Sequence, residues 1–106
     1  MESLPKPWLD LRTGDETSRR VRSSVEAELA RELLPAHPLA GTDPVAIAKC
    51  GHCDDVIFRL GRATFVSVHL TWASQRELPP LPMTRLHSDF RAAVAEMAEH
   101  GEGSLR

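Results

Sequence analysis

Residues 45–72 read VAIAKCGHCDDVIFRLGRATFVSVHLTW, and this stretch decides the fold: it holds most of the β-branched residues of the chain together with both cysteines. Val45 to Lys49 is short and β-biased, Cys50 to Asp54 reads as a turn, Asp55 to Leu60 as a second strand and Thr64 to Trp72 as a third. Strands this close in sequence pair as an antiparallel meander.

The register of the last two strands follows from their side chains, because opposed residues share a face and successive residues alternate. Val56, Phe58 and Leu60 form one apolar set, and Val66, Val68, Leu70 and Trp72 form the other. Both reach the same core only if opposed residue numbers sum to an even value such as 124, which requires an odd-length loop around Gly61 and Arg62. Burying both sets together gains ~1.5–3 kcal/mol per large side chain, more than a less favourable turn costs. The other face then carries Cys53, Asp55, Ile57 and Arg59 opposite Phe65, Ser67, His69 and Thr71, a mixed and largely polar set.

Upstream, Val21, Val25, Leu29 and Leu33 recur every four residues, the stripe of an amphipathic helix, with Glu26, Glu28, Arg31 and Glu32 placed largely away from it. The helix is expected to start near Ser18, or at Ser24 if Ser23 and Glu26 form a capping box, and to end by Leu34 because Pro35 follows. Residues 1–16 carry Pro5, Pro7 and Gly14 without periodicity and read as an extended N-terminal arm, with Trp8, Leu9 and Leu11 available to dock. Residues 35–44, PAHPLAGTDP, are a loop. Downstream, ELPPLP at 77–82 excludes helix and central strand and reads as a crossing over the body. A C-terminal helix runs from about Ser88, its expected N-cap, to His100, with Phe90, Val94 and Met97 at helical spacing; residues 101–106 are a frayed tail. The expected fold is α+β: a single two-layer domain over 17–100, helix, three-stranded antiparallel meander, helix, with both helices on the Val56/Phe58/Val66/Val68 face.

One core suffices for 106 residues, and five aromatics leave most of its filling to aliphatic side chains. Seven basic against eight acidic residues lie up to Cys53 and six against seven from Asp54 on, so neither half is a basic lobe for nucleic acid, and no partner of that kind is expected. Arg19, Arg20 and Arg22 read as a solvated helix face. No run approaches the ~18 apolar residues of a membrane span, and Glu2 with no apolar region after it argues against a leader, so the expected compartment is the cytoplasm, with reduced cysteines.

The tetrapeptide Cys50-Gly51-His52-Cys53 superficially resembles the active-site motif of protein disulfide isomerases. In that family the motif opens a helix whose N-terminal dipole favours the thiolate. Here Asp54 and Asp55 follow at the start of a strand, and their charge opposes a thiolate. Zinc is the second reading, with Cys50 and Cys53 as two ligands and His37, His69 or His87 required to complete the set. The third is two reduced cysteines flanking a tight turn. Glycine-rich phosphate loops, GxSxG and HExxH are absent, and no cofactor is expected.

His37-Pro38-Leu39, Asp54-Asp55-Val56-Ile57-Phe58 and Val68-His69-Leu70-Thr71-Trp72 resemble the recurring phrases of a group of short uncharacterised bacterial proteins. The resemblance covers roughly residues 25–72 and implies a small bacterial α+β domain without implying an activity.

Three functions stay open. The first is a non-enzymatic interaction module that uses the polar sheet face or an edge strand to hold a protein partner or to form a homodimer. The second is a small enzyme with His69 as acid or base, Asp55 as its orienting partner and Cys53 or Ser67 as nucleophile. Here the register matters: a sum of 124 puts Asp55 across from His69, and a sum of 123 puts Asp54 there. The third is metal binding through Cys50 and Cys53.

Overall fold

The structure, a computed structural model, describes residues 4, 5, 8–33, 35, 37, 39–51, 54–62, 64–72 and 83–103. Five antiparallel strands form one sheet in the order β1 (Trp8–Asp10), β2 (Val45–Cys50), β3 (Asp55–Leu60), β4 (Thr64–His69), β5 (Met83–His87). Helix α1 (Glu16–Glu32) follows β1, and α2 (Phe90–Gly103) follows β5. The α+β class and the antiparallel meander hold, but the sheet has five strands rather than three. Trp8–Asp10, inside the presumed arm, pairs with Ala48–Cys50, and Met83–His87 extends the sheet beyond β4. The crossing expected over 77–82 lies outside the described residues.

The β3/β4 register is the even one. Asp55 pairs with His69, Val56 with Val68, Phe58 with Val66 and Leu60 with Thr64, and Gly61, just beyond the last pair, has φ 65°. Val56, Phe58, Val66, Val68 and Leu70 are fully buried under Val25 and Leu29 of α1, with Leu11 and Leu39 closing the cluster. A bulge in β2 between Ala46 and Ala48 changes the alternation there: Ala46 joins this core, while Ile47, Ala48 and Cys50 face the other side.

Helix α2 does not share that face. Ala93, Met97 and the partly buried Phe90 and Val94 pack on Trp8, Ile47, Ala48, Cys50, Ile57 and Phe65, so the molecule has three layers, α1 on one side of the sheet and α2 on the other. The expected single core of Val56, Phe58, Leu29, Phe90 and Val94 is therefore two cores divided by the sheet. The reason is the contribution of β1 and the bulged β2: their apolar residues extend Ile57 and Phe65 into a surface broad enough to need cover. Phe65 and Phe90 meet edge to face at 5.6 Å, and Trp8 Nε1 donates to the Met97 carbonyl at 3.0 Å, tying the first strand to the last helix.

Both helices start on an aspartate rather than the expected serine. Asp15 accepts from the Ser18 amide at 2.8 Å and Asp89 from the Ala92 amide at 2.8 Å, each the N-cap to N3 bond. The hydroxyl of Thr13, then the Ser18 amide, hold the Asp15 carboxyl below its ordinary range. The first helix closes at Leu33, whose N–H donates to the Leu29 carbonyl.

Candidate functional site

The polar residues of the α2 face fall into two groups. At its rim, Asp55 Oδ1 lies 2.6 Å from His69 Nδ1, a direct cross-strand pair in which the His69 side chain is 58% exposed and that of Asp55 17%. Beneath α2, the Ser67 hydroxyl lies 3.1 Å from both carboxylate oxygens of Glu96, and His87 Nε2 meets the same carboxylate. Glu96 thus bridges β4 and β5 and fixes α2 over them. With Ser67 held by Glu96 and covered by α2, it is not placed as a nucleophile for His69, since side chains two apart on a strand are separated by ~6.6 Å of rise.

Cys53, expected as nucleophile or metal ligand, lies outside the described residues. Cys50 is wholly buried in the α2 core at the end of β2 rather than in a turn. Among the described residues no three His, Cys, Asp or Glu side chains converge as metal ligands. His37 is buried, and its Nδ1 accepts from the Leu39 amide at 3.1 Å.

Two acids of α1 occupy positions that the sequence reading assigned to solvent. Glu28 and Glu32 are fully buried. Glu32 accepts from the Thr71 amide at 3.0 Å and the Trp72 amide at 3.0 Å, holding Trp72 at φ 56°, a conformation that a bulky residue rarely adopts. Burial and the neighbouring Glu28 carboxyl push the Glu32 carboxyl above its ordinary value, against the two amides that lower it. Glu28 is paired with Arg31 at 2.9 Å. The signal for this burial was present: Glu28 follows Val25 by three residues and Glu32 follows Leu29 by three, which places both on the apolar face.

Two apolar clefts flank α1. One, of about 400 Å³, lies between the helix and the following loop and is lined by Leu29, Ala30, Leu33, Leu39, Gly41 and Asp43, among others. The second, of about 270 Å³, is lined by Leu9, Val21, Val25, Cys50 and Trp72, among others. Neither touches Asp55 or His69.

No family model, curated protein or solved structure matches the chain. Among the described residues no helix is long and apolar enough to cross a membrane.

The sheet edges differ. Strand β1 is three residues long, and its Trp8 amide donates to the Pro5 carbonyl at 2.9 Å, which removes one outward donor. Strand β5 is five residues long and pairs, among the described residues, with β4 alone. On its α1 side Leu86 is 67% exposed, although its neighbour Val66 on β4 is fully buried, because α1 stops short of the edge. On the α2 side Arg85 is exposed and makes no ion pair among the described residues.

Proposed function

We propose that this chain is a small non-enzymatic interaction module that holds a protein partner by adding a strand to the outer edge of β5. The observation that carries the reading is Leu86: a strand that pairs, among the described residues, on one side only and carries an exposed leucine is a template for another strand. The alternative surface, the polar face of β3 and β4, is occupied in its middle by α2. Under this reading the module works in the bacterial cytoplasm, which rests on the resemblance of residues 25–72.

The test is to select extended peptides from a displayed library against the immobilised chain and to map one selected peptide by NMR. Amide shifts concentrated at Thr84, Arg85, Leu86 and His87 are expected. Shifts centred on His69, or on the cleft beside Leu33 and Leu39, would overturn the reading.

A second reading, an enzyme using His69 as acid–base group with Asp55 orienting it, is favoured by the 2.6 Å contact between them. It leaves the imidazole Nε2 available to a substrate. Activity on a panel of activated esters that vanishes in His69→Ala would support it.

A further inference from the structure

An edge strand alone does not say what covers it, but the charge and the symmetry of β5 do. Resting on the edge-strand reading above, we infer that the partner of β5 is not a second copy of this chain but an extended segment of another protein. That segment presents an apolar side chain toward Leu86 and, one residue away, a carboxylate toward Arg85.

Register disfavours the second copy. Two copies of β5 joined antiparallel about a two-fold axis must oppose residues of equal parity, because opposed side chains share a face of the extended sheet. Residues 83–87 then overlap by at least three positions only when opposed numbers sum to 168, 170 or 172. The middle register sets Arg85 directly against Arg85 of the second copy, and the other two set it diagonal to that residue. Like charges directly opposite on a sheet are destabilising, and diagonal neighbours remain within reach of long side chains. Each register thus brings together two guanidinium groups that make no ion pair among the described residues, the nearby Glu96 carboxylate being engaged by Ser67 and His87. The nearest acid along the chain, Asp89, is committed to the first turn of α2.

A foreign strand meets the same edge without that conflict. Its successive residues alternate between the two faces, one opposite Leu86 on the α1 side and the next opposite Arg85 on the α2 side. An apolar residue covers Leu86 next to the buried Val66, and an adjacent Glu or Asp supplies a direct ion-pair partner for the exposed Arg85. The net charge of −2 makes the choice informative, since the molecule as a whole favours cations and a preference for an acidic strand must arise locally.

Three synthetic heptapeptides test the inference, alternating valine with glutamate, serine or lysine, each titrated into the full chain while backbone amide shifts are followed by NMR. The glutamate peptide is expected to shift the amides of Thr84, Arg85 and Leu86 and to bind at least tenfold more tightly than the lysine peptide. Arg85→Glu, an exposed site, is expected to reverse that order, and Leu86→Ser to weaken all three. If the three bind β5 equally, or the order is the same in Arg85→Glu, the acidic partner is wrong and the edge-strand module stands. If none shifts the β5 amides, the module reading falls with it. If the β5 amides shift with the chain's own concentration and self-association competes with the peptides, the partner is a second copy and this inference is overturned.

Discussion

Asp55 and His69 stand directly opposite each other on β3 and β4, Oδ1 to Nδ1 at 2.6 Å, at the open end of the hairpin. Asp54, one residue earlier, lies outside the pair: its carbonyl accepts from the Leu70 amide and its side chain is exposed. With the imidazole more than half exposed, the contact is screened by solvent like other surface polar pairs. A double-mutant cycle of Asp55→Asn and His69→Gln, read by urea denaturation, should give a coupling of ~0–1 kcal/mol. The same cycle with Asp54→Asn should give none, and equal coupling for both aspartates would contradict the register.

The two cores predict two expensive truncations on opposite faces of one strand. Phe58→Ala, beneath α1, should cost ~3–5 kcal/mol, and Ile57→Ala, beneath α2, ~2–5 kcal/mol. Chemical denaturation measures both. A nearly neutral Ile57→Ala would mean that α2 does not cover that face.

The buried Glu32 makes stability fall with rising pH. Its carboxyl is held above the ordinary value, first by burial and then by Glu28, so the folded state keeps its proton where the unfolded chain has lost it. That contribution is fully present below the unfolded glutamate range and is lost as pH rises through the folded value. Glu32→Gln, whose amide oxygen can still accept from Thr71 and Trp72, should remove this dependence and be the more stable form at neutral pH. Denaturation midpoints of both proteins from pH 4 upward decide it, and parallel curves would count against the raised carboxyl.

Trp8 should anchor α2. Trp8→Phe keeps most of the ring but removes the bond to the Met97 carbonyl, at an expected cost of ~0.5–1.5 kcal/mol. Hydrogen exchange should then quicken in α2 while α1 amides are unchanged. Equal effects on both helices would indicate a general loss of stability instead.

What the sequence by itself determined is what alternation and helical period encode. The sets Val56/Phe58 and Val66/Val68 share one core only in the even register, and that register sets Asp55 opposite His69. The α1 stripe is legible for the same reason, although residue polarity alone sets Glu28 and Glu32 apart from it and both fall on the buried side. The tertiary structure alone decided the rest. A three-residue β1 and a five-residue β5 have no pattern long enough to read and exist through pairing with distant strands, Trp8 opposite Cys50 and His87 opposite Phe65. Their arrival widened the Ile57/Phe65 face into a second core, carried α2 across the sheet and left Leu86 at its edge, because burial depends on which segments meet and not on the order of residues within any one of them.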